Sequence, residues 1–366
     1  MEISIDRKAL VDVLSTVSGV ADKEGCFSSV LLIAREKCLK LVVWSPVLQI
    51  ERIVQCDVVA DGAVATNCRK LSGAISKMTG ETVSISANEA LLTVKSGRTR
   101  CKIPVDVESI VEEVVREESS YTFTIGADTL VSAIQRLIPL CGTKSNLPFT
   151  NGIGFVAENG EITAYATDGC RAGLHKLGDI DHEFIAVVPQ KTLEIVQKLF
   201  AENDHTLDVS IADGKIEFYT ADTLVVSLLL ETNYPSVSKF FDHGEIPEVK
   251  IPTKAFAQSV DVVDALHSDR GSAVVRMSLE DNCLTVESES TEGAGEAMST
   301  IGVSYEGEKL IAVYQARFLR DYLKTVSDQE YVLWCKGPAN QGFFYLDNNG
   351  EKNEDFVVLI MPVRVN

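Results

Sequence analysis

Ile5-Asp-Arg-Lys-Ala-Leu10-Val-Asp-Val-Leu14-Ser-Thr-Val17 decides the fold, because the chain repeats its pattern twice. Leu10, Leu14 and Val17 mark one face of a helix. Leu130, Ile134 and Leu137 mark the same face of a second helix, each 120 residues later. Phe256, Val260 and Val263 mark a third, each a further 126 residues on. Three apolar positions held in register twice over are the mark of an internal repeat.

Each of these helices is followed by a hairpin pattern. Val30-Leu-Leu-Ile-Ala and Leu39-Lys-Leu-Val-Val form the first, and Gly152-Ile-Gly-Phe-Val and Ile162-Thr-Ala-Tyr-Ala the second, around Glu158-Asn-Gly160. Ala273-Val-Val-Arg-Met and Leu284-Thr-Val-Glu form the third, around Asp281-Asn282. β-branched content and alternation support strands. A second helix follows in each repeat: Cys68–Met78, Pro189–Leu199 and Gln315–Lys324. Closing strands end at Ile103-Pro104-Val105, Tyr234-Pro235-Ser236 and Met361-Pro362-Val363. The expected architecture is α+β: three helix-hairpin-helix-hairpin domains over residues 1–118, 119–244 and 245–366.

The chain has 366 residues and a net charge of −19, so the positions of its cations carry information. The second helices hold Lys70 and Lys77, Lys191 and Lys198, and Arg317 and Lys324. The members of each pair are seven residues apart, so both project from one helix face. Arg69 and Arg320 add to these stripes. Cations spaced along a helix without a base-reading pattern suit phosphate, which positions a protein without specifying sequence. Acid collects elsewhere, as in Glu112-Glu-Val-Val-Arg-Glu-Glu118.

Other chemistries lack their residues. Gly142-Thr-Lys-Ser145 has the tail of a phosphate-binding loop, but Leu137 stands where its first glycine would be. The histidines at 175, 182, 205, 243 and 267 have no metal-ligand spacing. His175 reads as a surface strand residue and Asp168 as a turn residue. The nine cysteines form no Cys-x-x-Cys pair, so free thiols in a reducing cytoplasm are expected, with Cys38 and Cys283 as small core residues. No secretion signal, membrane span, catalytic constellation, metal or cofactor is expected.

Ala164-Tyr-Ala-Thr-Asp-Gly-Cys-Arg-Ala-Gly-Leu-His-Lys176 reads as strand, Asp-Gly turn and strand, and it has no counterpart in the other two repeats. With the N-terminal Ile-Asp-Arg-x-x-Leu, the Tyr-Pro-Ser before the third repeat and the final Met-Pro-Val-Arg-Val, it gives a chain that resembles, end to end, the bacterial sliding clamps, the beta subunits of DNA polymerase III. The resemblance implies a head-to-tail homodimer ring around double-stranded DNA, helices lining the hole and sheets outside. It implies a cytoplasmic processivity factor, not an enzyme, that tethers the polymerase III alpha subunit, the clamp loader and other clamp-motif proteins.

By the same resemblance, a peptide cleft comprises Thr167, Gly169, Cys170, Arg171, Ala172, Pro235, Phe240, Leu359, Met361, Pro362, Val363 and Arg364. Its apolar members would form the floor, and Arg171 and Arg364 the polar rim. Lys23, Lys144 and Phe149 would join the helix cations in contacting DNA. Cys170 and Ala172 stand where the family often has His and Leu, and Glu24 would oppose DNA. A clamp-like peptide scaffold that has lost DNA clamping is the alternative. A metal-dependent hydrolase or nuclease is a third class, for which the acids are too dispersed.

Overall fold

A computed structural model describes residues 1–22, 24–25, 27–106, 119–142, 146–201, 206–212, 214–267, 273–288, 295–337, 339–348 and 351–363. Lys23, Lys144 and Arg364 lie outside the described residues.

The first repeat runs β1 (Glu2–Asp6), α1 (Arg7–Val17), β2 (Ser29–Arg35), β3 (Cys38–Trp44), β4 (Leu48–Gln55), β5 (Asp57–Ala60), β6 (Gly62–Asn67), α2 (Cys68–Ser76), β7 (Thr82–Ala87), β8 (Leu91–Ser96) and β9 (Thr99–Pro104). The second runs β10 (Tyr121–Gly126), α3 (Ala127–Leu137), β11 (Gly152–Glu158), β12 (Glu161–Thr167), β13 (Arg171–Asp179), β14 (Phe184–Pro189), α4 (Gln190–Phe200), β15 (Thr206–Ala212), β16 (Lys215–Tyr219) and β17 (Thr223–Leu228). The third runs β18 (Glu248–Pro252), α5 (Thr253–His267), β19 (Val274–Glu280), β20 (Cys283–Ser288), β21 (Met298–Gly302), β22 (Leu310–Gln315), α6 (Ala316–Thr325), β23 (Tyr331–Lys336), β24 (Gly342–Asn348) and β25 (Glu351–Ile360).

The nine register-matched residues of the first helices are all buried, at most 1% exposed. The repeat is therefore a repeat of core positions. Each helix begins where a strand ends. The Asp6 side chain accepts from the Ala9 amide at 2.8 Å to cap α1, and Asn67 accepts from Lys70 at 2.9 Å to cap α2. The repeating unit is larger than helix-hairpin-helix-hairpin. A short strand precedes the first helix, and three strands follow the second. In β1, Ile3 and Ile5 are buried and alternate with polar neighbours, a period-2 signal only five residues long that merges with the helix it feeds.

Two compact units cut across the repeats. Met1–Asp128 with Glu194–Leu229 forms one, and Thr129–Leu193 with Leu230–Asn366 the other. In the first unit, strands of two repeats share an eight-stranded sheet in the order β10-β15-β16-β17-β4-β3-β2-β6, beside a five-stranded sheet β5-β1-β7-β8-β9. In the second unit, β14-β11-β12-β13-β25-β24-β23-β18 is again eight-stranded, beside a four-stranded sheet β21-β20-β19-β22. Both joins between repeats are antiparallel, β17 on β4 and β13 on β25. Each takes the closing strand of one repeat and the fourth strand of the repeat before it, the first repeat's β5 aside.

The eight described cysteines are free thiols. Cys38 and Cys283, expected in the core, are only half-buried, because strand alternation gives the core to Leu39 and Leu41 and to Leu284 and Val286. Cys68, Cys141 and Cys335 are the buried ones. Among the described residues, no helix is long and apolar enough to cross a membrane.

Candidate functional site

The Thr167–Arg171 turn is built from its own side chains. Asp168 Oδ1 accepts from the amides of Cys170 and Arg171 at 2.9 and 3.1 Å. Thr167 Oγ1 accepts from the Gly169 amide at 3.1 Å and donates to the Arg171 carbonyl at 2.6 Å. Gly169 takes φ +89°, which a side chain would strain. This bears out Asp168 as a turn residue.

Arg171 is not a rim residue. It is 7% exposed, and its guanidinium reaches Asp168 at 3.0 Å, Asp321 of α6 at 2.8 Å and the Pro139 carbonyl at 2.6 Å. It also lies over the Phe318 ring, 4.6 Å from the centroid. Successive strand residues point to opposite faces. Arg171 therefore joins α6 on one face of the sheet, while Ala172 belongs to the other. A cleft of about 530 Å³ on the Arg171 side is lined by Pro139, Asp168, Cys170, Gln190, Arg317 and Asp321, among others. It is a polar hollow beneath the turn.

The apolar floor lies on the Ala172 face. Residues paired across neighbouring strands share a face, and the pairing carries one row through Thr167, Ala172, Leu359, Phe343 and Cys335. A second row runs through Tyr165, Leu174, Val357, Tyr345 and Leu333. Tyr234, Val237, Phe241 and Ile246, from the segment between the second and third repeats, pack against these rows. Tyr234 donates to the Tyr165 carbonyl at 2.9 Å, and its ring lies against Gly154, where a Cβ would come within 2.5 Å of it. The His243 ring packs tilted against Phe343 with centroids 4.3 Å apart, and its Nε2 lies 2.5 Å from the Tyr345 hydroxyl.

Of the expected cleft residues, Thr167, Ala172 and Leu359 thus share one buried row. Gly169, Cys170 and Met361 are exposed at its end, where the Met361 amide donates to the Cys170 carbonyl at 3.0 Å. Phe240, 61% exposed, ends the short 3-10 helix Val237–Phe240. Pro235, Pro362 and Val363 are half-buried. Phe343, Tyr345 and His243 were missed by sequence reasoning. Alternation places the two aromatics on one strand face, but only the β24–β25 register brings them beside Leu359.

Lys70 and Lys77 are exposed on α2 and at its C-cap, Lys191 and Lys198 on α4, and Arg317 and Lys324 on α6. The five lysines make no ion pair with a described residue. Arg317 donates to Gln315 at 2.9 Å and lies over Phe318. Three expected contacts are otherwise engaged. Arg69 donates to the Ala21 carbonyl at 3.1 Å. Arg320 is paired with both Asp261, at 3.1 Å, and Asp264 of α5. The half-buried Phe149 ring packs edge-on against Tyr234 at 6.2 Å. Glu24 is exposed.

His175 is buried, not a surface residue. Its ring lies 5.8 Å from that of Phe356, and burial lowers its pKa. Among the described residues, no group of three or more His, Cys, Asp or Glu is placed to hold a metal.

Three copies of one plan joined through shared sheets, each with a cationic second helix, define a clamp-fold protein of the sliding-clamp class. Family models for the DNA polymerase III beta subunit match its N-terminal domain at residues 1–110, its central domain at 124–236 and its C-terminal domain at 243–364. The chain belongs to that family. It is 25% identical to the beta sliding clamp of Bacillus subtilis over 308 residues, covering 83% of this chain and 80% of that protein. The crystal structure of the DNA polymerase III subunit beta from Pseudomonas aeruginosa matches with TM-score 0.89 at 21% identity, over 100% of both chains. The DNA polymerase sliding clamp from Caulobacter crescentus matches with TM-score 0.86 at 20% identity, also over 100% of both. These likenesses establish a common fold.

Proposed function

We propose that the chain is a cytoplasmic sliding clamp. It closes head-to-tail with a second copy around duplex DNA, helices inward and sheets outward, and holds the replicative polymerase on its template. Its domains are residues 1–118, 119–244 and 245–366. It is a processivity factor without cofactor or metal, not an enzyme. The polymerase III alpha subunit, the clamp loader and other clamp-motif proteins dock by short peptides near the Ala172–Leu359 row, with Phe240, Met361 and Cys170 at its margin.

The observation that carries this reading is the recurrence of exposed cation pairs on α2, α4 and α6 in a chain of net charge −19. Phosphate contacts of this kind bind any sequence and weaken as salt rises. They also speak against the scaffold alternative, which has no use for them.

Closure by a second copy is supported by the sheets. Both joins within the chain complete an eight-stranded sheet, whereas the sheets ending in β9 and β21 are left open. By the rule of the two existing joins, the closing strand β9 of the first repeat pairs with β21 of another copy's third repeat. Met298 on β21 is 70% exposed, and an exposed edge strand is a template for pairing. Light scattering at micromolar concentration tests closure. A mass near twice 39.9 kDa is expected, and a strict monomer would overturn the ring.

A further inference from the structure

The third repeat departs from the other two on its helical face. The chain's own register, offsets of 120 and 126 residues for the first helices, aligns Asp261 with Gln135 and Ser15, and Asp264 with Ile138 and Ser18. Neither acid has a charged counterpart. The register of the second helices, offsets of 121 and 126, aligns Arg320 with Glu194 and Gly73. The third repeat therefore carries an extra arginine and two extra aspartates, and the structure brings all three together.

Arg320 lies between Arg317 and Lys324 on the exposed face of α6, at i+3 and i−4. Its guanidinium Nε reaches Asp261 at 3.1 Å and its Nη1 reaches Asp264. The side chains of Arg320 and Asp261 are 34% and 63% exposed. One cation against two acids leaves this group with a net charge of −1, next to a stripe otherwise made of cations. An exposed ion pair contributes little to stability, so folding gains little from the second aspartate. Toward a polyanion the effect is direct: Arg320 is occupied, and a surplus carboxylate faces the same side.

We propose that Asp261 and Asp264 limit the affinity of the clamp for DNA by occupying Arg320 and leaving one surplus carboxylate beside the α6 cations. This rests on the DNA reading given above. A local acidic surplus weakens non-specific grip on phosphate while leaving the exposed cations of α2, α4 and α6 to retain the duplex.

The test measures affinity of the full chain for a short fluorescent duplex by anisotropy over a series of salt concentrations. The Asp261→Asn/Asp264→Asn protein should bind several-fold more tightly at low salt. Its slope of log affinity against log salt should steepen by about 0.9, the value for one further phosphate neutralised. Adding Arg320→Gln to that protein should return the slope to its parent value. Lys70→Glu/Lys77→Glu serves as the companion and should weaken binding. If this reversal weakens binding and the two asparagines leave the slope unchanged, the affinity-limiting role is overturned and the DNA reading stands. If the reversal changes nothing, the DNA reading falls and the role of Asp261 and Asp264 falls with it.

Discussion

The Arg171 guanidinium lies 2.8 Å from the Asp321 carboxylate, tying the turn specific to the second repeat to the last helix of the third. Both groups belong to the same compact unit, and Asp168, the Pro139 carbonyl and the Phe318 ring complete the arginine's surroundings. A buried cation with this many partners is costly to disturb. Deleting one partner leaves the charge short of compensation.

Asp321→Ala is accordingly expected to lower stability by about 1–3 kcal/mol, the penalty for a buried polar group left unsatisfied. Asp321 is itself 33% exposed, so solvent softens the loss. Arg171→Ala removes the hub itself and should cost more, about 3–5 kcal/mol. Urea unfolding midpoints at constant slope check both. An Asp321→Ala protein as stable as the parent would mean that Asp168 and the Pro139 carbonyl compensate the Arg171 charge without Asp321.

The difference between these residues and the repeat core explains what was legible in the sequence. Leu10, Leu14 and Val17 and their counterparts could be read because helix periodicity is local and each repeat restates it. The burial of Arg171 could not be read from its type, although its place beside Ala172 on a strand requires the two to part. The shared sheets leave no local trace, since β17 meets β4, and β13 meets β25, across more than 150 residues of chain. The occupation of Arg320 depends on how α5 packs against α6. A cation looks the same in sequence whether or not an acid from another element has claimed it.

His175 predicts a pH dependence. Its folded pKa lies below the ordinary value of 6.5, because burial disfavours the cation. The unfolded chain therefore binds the proton first as pH falls. Stability supplied by the neutral ring is complete above the unfolded value and is lost as pH drops below about 6.5 toward the folded value. Arg136 and Asp355 act on the ring with opposite signs, after burial and its bond to the Lys176 carbonyl. Melting temperatures between pH 8 and 5 should fall less steeply for His175→Gln than for the parent. Equal slopes would mean that the ring accepts its proton without penalty.

The open edges give the last prediction. β9 ends the five-stranded sheet and carries Arg100 and Lys102 exposed, with Arg98 just before it, and none makes an ion pair with a described residue. β21 ends the four-stranded sheet, with exposed Glu296 before it and Glu306 after it. The other edge of that sheet, β22, receives the C-terminal segment, where the Val363 amide donates to the Val313 carbonyl at 2.8 Å. That leaves β21 as the edge to which β9 of a second copy would add, basic against acidic. Like charges placed across such a contact cost several kcal/mol. Arg100→Glu/Lys102→Glu should therefore shift the chain toward monomer in sedimentation velocity without changing its melting temperature at low concentration. Glu296→Lys/Glu306→Lys mixed with that protein should restore the dimer. An unchanged dimer in the first case would remove β9 from the interface, and failure of the mixture would remove β21.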